Sequence, residues 1–165
     1  MRQQLEHLFG GNLDGCHDGL IEIAYTDAAD GKLKHARLFG TDELDAAVEF
    51  AAQHNKIQGQ NIYVGAALRK PDTPRDRRAA DMDVLALSAY YVDIDKEGAA
   101  AAAKARYNGC PPTAVVVTGR HPHVRAQLWW RLEAPDRDLE RVRRQNMALA
   151  TAFQGDTCLL YTSPS

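Results

Sequence analysis

Residues 85–95 read Leu85-Ala86-Leu87-Ser88-Ala89-Tyr90-Tyr91-Val92-Asp93-Ile94-Asp95. From Leu85 to Asp93 nearly every position is apolar, the pattern of a strand buried on both faces. The strand then ends in two carboxylates spaced two residues apart. Successive side chains of a strand point to opposite faces, so Asp93 and Asp95 share one side while Ile94 turns to the core. Two parallel carboxylates repel each other and lose solvation together. A hard divalent ion, Mg²⁺ or Mn²⁺, removes that cost through the oxygen ligands it prefers. The plainer alternative leaves Asp93 as a solvated strand end and has Asp95 cap a helix starting near Glu97.

Strands and helices alternate on either side of this segment. Gly19 to Thr26 and Lys34 to Phe39 read as strands joined by the turn residues Asp27-Ala28-Ala29-Asp30-Gly31. Thr41 is a candidate N-cap for a helix carrying Leu44, Ala47, Val48 and Ala51, which ends between His54 and Gly59. Asn61 to Leu68 is the next strand. Arg69 to Asp83 holds two prolines and the run Arg75-Asp76-Arg77-Arg78, an exposed loop long enough to suggest a function. Beyond the acidic pair, Glu97 to Arg106 is alanine-rich and helical, stopped by Asn108-Gly109 and two prolines. Thr113 to Thr118 and Val124 to Leu132 are strands, and Pro135-Asp136 opens a last helix reaching about Phe153. The order β-β-α-β-β-α-β-β-α predicts an α+β domain with a mixed central sheet and helices packed mainly on one face.

Composition narrows the function classes. The chain has 165 residues, 45% hydrophobic and 25% charged, which fits one globular domain and excludes a disordered or collagenous chain. No apolar stretch approaches the ~20 residues of a membrane helix, and Met1 to Gly10 has no apolar core of a signal peptide. The expected location is cytoplasmic, with no membrane partner. Cys16, Cys110 and Cys158 are odd in number and form no CxxC pair, which argues against a disulfide framework or a cysteine zinc site. The net charge of -2 is uneven: residues 1–60 hold 5 Lys/Arg against 10 Asp/Glu, and residues 61–165 hold 15 against 12. An acidic first half and a basic second half point to a polyanion near the latter.

A second polar signal follows the acidic pair. In Thr118-Gly119-Arg120-His121-Pro122-His123-Val124-Arg125-Ala126-Gln127-Leu128-Trp129, alternation places His123, Arg125, Gln127 and Trp129 on one strand face. Arginine offers forked donors for phosphate oxygens, histidine a donor that can be charged, and Gly119 lets a phosphate approach the backbone. An exposed sheet face carrying a solvated arginine is the plainer account. A third carboxylate, Asp156, follows the last helix after Gly155, whose freedom would permit a sharp turn. Three carboxylates can hold two metals, and two metals clamp a transferring phosphoryl group. Arg69, Arg75, Arg77 and Arg78 are candidates for nucleic-acid phosphates.

Together these residues resemble the archaeo-eukaryotic primase superfamily, especially its RepB-like primase–polymerase domains. Val92-Asp93-Ile94-Asp95 matches the family's hydrophobic-Asp-hydrophobic-Asp motif. Thr118-Gly119 through His123 matches its small-residue turn leading to a histidine, and Asp156 its later acidic residue. The resemblance covers about residues 61–156. It implies an RRM-like primase–polymerase core and two-metal nucleotidyl transfer with Mg²⁺ or Mn²⁺. Asp93, Asp95 and Asp156 would be the catalytic metal ligands, and Thr118, Gly119, Arg120, His123, Arg125 and Gln127 would hold an NTP or dNTP. A single-stranded DNA template and a downstream helicase domain are further implications, in replication of a plasmid, phage or mobile element. The chain departs from the pattern in having Thr118 for the usual serine and a longer turn containing Arg120, His121 and Pro122.

Two other readings use the same residues. His121-Pro122-His123 matches the His-hydrophobic-His metal motif of rolling-circle endonucleases, but the helix after Asp136 supplies no nucleophilic tyrosine. A non-catalytic single-stranded nucleic-acid-binding module would use the arginines with Tyr63, Tyr91 and Trp129 as stacking platforms. Residues 1–157 are expected to form the catalytic domain, truncated at its C-terminus. Residues 158–165 resemble translated sequencing adapter and are expected to be a non-native tail.

Overall fold

The computed structural model of the chain describes residues 1–155. Strand β4 (Val84–Ile94) is an interior strand of a six-stranded sheet with β1 (Leu20–Thr26), β2 (Leu33–Gly40), β3 (Ile62–Arg69), β5 (Ala114–Gly119) and β6 (Arg125–Asp136). The order across the sheet is β2-β1-β3-β4-β6-β5. Four α-helices accompany it among the described residues: α1 (Arg2–Phe9), α2 (Leu44–His54), α3 (Gly98–Tyr107) and α4 (Leu139–Phe153).

The α+β architecture agrees with the sequence reading, but the sheet is not mixed: each paired strand is antiparallel to its neighbour. The reason lies in two split crossovers. Helix α2 links β2 to β3, which run in the same direction, but β1 sits between them. Helix α3 links β4 to β5 in the same way, with β6 between. A helical connection therefore joins parallel strands that never hydrogen-bond to each other, as in split β-α-β units. The β4-α3-β5-β6-α4 half is an RRM-like arrangement.

The helices also occupy both sides of the sheet rather than mainly one. Alternation along β4 puts Tyr91 into a core with Leu5, Leu8 and Phe9 of α1 and Ala47 and Ala51 of α2. Val92 and Ile94 face the other way, against Ala101 and Ala105 of α3 and Ala150 and Phe153 of α4. Helix α1 has no counterpart in the sequence reading. Its buried Leu5, Leu8 and Phe9 have helical spacing, but eight residues make too short a periodic run to stand out.

Strand β6 runs on through Asp136, so this residue is not the start of the last helix. Asp138 caps α4 instead, accepting a hydrogen bond from the Arg141 amide at 3.0 Å. Asp136 has a different task. Its carboxylate receives the Tyr90 hydroxyl at 2.7 Å and both Nε and Nη2 of Arg141, at 2.8 and 2.6 Å, joining β4, β6 and α4. A bidentate guanidinium of this kind is strongly directional. It holds the Asp136 carboxyl at about 2, well below its ordinary 3.8.

A carboxylate with a depressed folded-state pKa adds stability that is present above the ordinary value and lost as pH falls through the folded one. Urea titrations of Asp136→Asn should show a loss of about 2 kcal/mol at neutral pH. Between about pH 4 and 2 the variant should lose less further stability than the wild-type chain. Parallel acid limbs in the two proteins would remove Asp136 from this role.

Candidate active site

The sheet forks beside the acidic pair. Strand β3 pairs with β4 only through Ala67↔Leu87, Leu68↔Ala86 and Arg69↔Val84. The other end of β3 stays with β1, through Tyr25↔Ile62, Ala24↔Tyr63 and Ile23↔Val64. The C-terminal end of β4 stays with β6, from Tyr91↔Trp129 to Ile94↔Ala126. Where the two arms part, a cavity of about 620 Å³ opens between them. That volume lies within the range of small-molecule sites.

Asp93, Asp95, Thr118, Arg125 and Gln127 all line this cavity. Ile94, between the two aspartates, is 1% exposed and packed on the helical side. The strand register makes Gln127 the cross-strand partner of Asp93, and its amide donates to Asp93 Oδ2 at 3.5 Å. Helix α3 begins at Gly98 with Glu97 as its N-cap residue and no side-chain cap. Asp95 is therefore not used as a helix cap and remains on the cavity wall.

Gly119 and Arg125 are paired across β5 and β6. A Cβ on Gly119 would come within 2.5 Å of both Nε and Nη2 of Arg125. The glycine thus makes room for the Arg125 guanidinium over the backbone, a different service from the direct phosphate approach expected of it. Arg120, His121, Pro122 and His123 form the exposed connection between the two strands. His123 is consequently not on the face shared by Arg125 and Gln127, because β6 starts two residues later. Neither imidazole of the His121-Pro122-His123 run is fixed on a strand, which weakens the endonuclease reading.

The chain after α4 returns to the acidic strand. Gln154 takes the left-handed conformation (φ 58°), so the sharp turn is made one residue before the glycine expected to make it. Gly155 matters through proximity: its Cβ would lie 2.2 Å from Val92 Cγ2 and 2.7 Å from the Asp93 carbonyl oxygen. Helix α4 is pinned to the same strand by buried Asn146, whose Oδ1 accepts the Tyr91 amide at 3.1 Å. Asp156, like the 158–165 tail, lies outside the described residues.

The arginines expected to meet nucleic acid are buried or paired within the fold to different degrees. Arg69 is 3% exposed and donates to Glu22 at 2.6 Å, a carboxylate that also accepts the Ala79 amide. This ion pair anchors the 70–80 loop in the sheet, and no phosphate can reach it. Arg75 binds Glu43 at 2.6 Å, Arg77 lies 3.8 Å from Asp83, and Arg78 donates to the Leu33 carbonyl. The run is tied into the fold at three points rather than presented as a free basic patch. Tyr91 and Trp129 stack on each other inside the core at 4.9 Å and cannot serve as base platforms.

Residues that the sequence reading gave no functional role complete the cavity. Gln4 of α1, Asn55 after α2, and Asn61, Ile62 and Val64 around the start of β3 line the wall across from the aspartates. They belong to three different elements, with Gln4 more than fifty residues from the others, and the fork brings them onto one wall. Among the described residues no group of three or more His, Cys, Asp or Glu side chains is placed to hold a metal. Asp93 and Asp95 supply two hard oxygen donors on one wall, which suits a Mg²⁺ or Mn²⁺ ion whose other ligands come from elsewhere.

The fold is similar to that of solved primase and primase–polymerase domains. It is shared with three solved structures, each at low sequence identity. The crystal structure of primase RepB′ matches over 98% of this chain with a TM-score of 0.58 and 18% identity. The catalytic domain of primase RepB′ in complex with initiator DNA matches over 97%, at 0.57 and 17%. The AEP domain of the cyanophage S-2L primase-polymerase matches over 98%, at 0.59 and 16%. The chain spans 47%, 69% and 77% of those three chains, just under half of the first. No family model and no curated protein matches the sequence. Among the described residues no helix is long and apolar enough to cross a membrane.

The Gly119 geometry yields a direct test. Gly119→Ala forces only the mobile end of Arg125 to move, so its melting temperature should stay close to wild type. Its affinity for a Mn²⁺–nucleoside triphosphate should fall about as far as in Arg125→Ala, several-fold for one lost charge-assisted contact. Wild-type affinity in Gly119→Ala would show that the glycine does not place Arg125 for binding.

Proposed function

We propose that this chain is the catalytic portion of a DNA primase–polymerase, joining nucleotides on a single-stranded DNA template. The observation that carries the reading is the gathering of Asp93, Asp95, Thr118, Arg125 and Gln127 round one cavity at a sheet fork. The likeness of the fold to primase catalytic domains supports it, and one such domain is described in complex with initiator DNA.

In this reading Asp93 and Asp95, with Asp156, hold Mg²⁺ or Mn²⁺. Bound there, such ions would supply positive charge to offset the negative charge that develops on the phosphate oxygens during transfer. Gln127, the cross-strand partner of Asp93, stands beside its carboxylate with its amide 3.5 Å from Oδ2. Arg125, exposed at the start of β6 and laid over Gly119, binds the triphosphate oxygens with its forked donors. Thr118 offers a hydroxyl on the same wall, and Arg120 and His123, in the exposed loop between β5 and β6, are further donors that the nucleotide would recruit.

Primer synthesis also requires a template path and, in the whole protein, an unwinding partner such as a helicase domain. Both are proposals, as is the setting of plasmid, phage or mobile-element replication. A purely binding module has no use for two carboxylates facing a cavity, since they would repel the backbone it binds.

Calorimetry of nucleoside triphosphate binding in the presence of Mn²⁺ tests the reading. Binding should require the metal, drop at least tenfold in Asp93→Asn, and persist in His121→Ala. Equal binding by wild type and Asp93→Asn would reduce the carboxylates to a strand end.

A further inference from the structure

The walls of the fork differ in chemistry. The β4–β6–β5 arm carries the charged groups Asp93, Asp95 and Arg125. The facing wall, built from α1, the end of α2 and the start of β3, carries three neutral carboxamides, Gln4, Asn55 and Asn61, beside the apolar Ile62 and Val64. The main chain of Asn61 is fixed by exchange with Thr26: its amide donates to the Thr26 hydroxyl at 2.8 Å and its carbonyl accepts the Thr26 amide at 3.0 Å. Asn55 is fixed by the helix end, its amide bonding back to the Ala51 carbonyl at 2.9 Å. Two of the three carboxamides thus stand on backbone that the fold holds in place.

A nucleoside triphosphate has the same division. One end is a polyanion that calls for metal and guanidinium. The other is a planar base and a sugar whose edges mix donors and acceptors without charge. Carboxamides carry both a donor and an acceptor, and they pair with base edges in that way. Apolar side chains beside them suit the faces of the base and sugar. Carboxylates opposite would reject a second polyanion there.

We infer that Gln4, Asn55 and Asn61 form the subsite for the base and sugar of the incoming nucleotide, which fixes its direction in the cleft with the triphosphate toward Arg125. The inference rests on the nucleotidyl-transfer reading and adds to it a set of specificity-determining residues on the N-terminal half of the chain. No covalent step is involved: the carboxamides bind and orient.

The test compares Mn²⁺-dependent binding of the four ribonucleoside triphosphates, the four deoxy forms and inorganic tripolyphosphate. It uses the wild-type chain, Gln4→Ala, Asn55→Ala, Asn61→Ala and the triple variant. Tripolyphosphate carries only the anionic end, so its affinity should be the same in all five proteins. Each single variant should weaken at least one nucleotide by about fivefold, the loss of one neutral hydrogen bond. In the triple variant the advantage of nucleotides over tripolyphosphate should disappear. Asn55 and Asn61 are exposed, so the alanine variants should keep wild-type melting curves. Nucleotide affinities unchanged in the triple variant, while Asp93→Asn abolishes binding, would overturn the subsite and leave the catalytic reading standing. Equal loss of tripolyphosphate and nucleotide would also overturn it, since the wall would then be acting on the anionic end. Absence of binding by either probe to the wild-type chain would overturn both.

Discussion

Strand β4 has to satisfy two different neighbours, and the site exists because it cannot satisfy both along its whole length. Its first half pairs with β3, and its second half leaves β3 and continues with β6 alone. Antiparallel ladders hold each arm in register, and the right-handed twist of neighbouring strands favours divergence where pairing lapses. The exposed edge of β4 is then covered from α4, by the Asn146 side chain at Tyr91 and by the backbone of Gly155 at Asp93. A buried strand amide left without a partner would cost on the order of 1–3 kcal/mol, so Asn146 is part of what makes the fork tolerable. The aspartates sit just where the strand leaves its covered interior.

This arrangement explains which features were legible from residue order. The near-continuous apolar run of 85–93 reports burial on both faces, and the structure places helices on both sides of it. The i, i+2 spacing of Asp93 and Asp95 places both on one wall because strand geometry fixes the side of each residue. The alternation of Arg125, Gln127 and Trp129 survives for the same reason. His123 fails because a strand start is a local matter of a residue or two, and a proline-containing loop intervenes before the first pair, Gly119↔Arg125. Pairing direction was not legible either: helical crossovers predict parallel strands, and nothing local says that β1 and β6 will insert between them.

The arginines show the limit most clearly. A charged run with prolines reads as a solvated patch, yet Arg69 belongs to a buried ion pair, Arg75 and Arg78 reach partners on other segments, and Arg77 lies beside Asp83 at the end of its own loop. Glu22 and Glu43 are 47 and 32 residues away from Arg69 and Arg75 in the chain, and no window of sequence connects those pairs. A buried pair of this kind contributes to the placement of the loop rather than to net stability. The same limit hid the carboxamide wall, whose members come from three separate elements. Both cases are non-local pairings that only a folded topology creates.

The most direct test of the account is a crystal structure of the chain soaked with Mn²⁺ and a non-hydrolysable nucleoside triphosphate, with anomalous scattering used to locate the metal. The account predicts a Mn²⁺ peak bound by Asp93 and Asp95 inside the fork, with the triphosphate contacting Arg125 and the base against the β3 side. A nucleotide bound away from the fork, or manganese that avoids both aspartates, would contradict it.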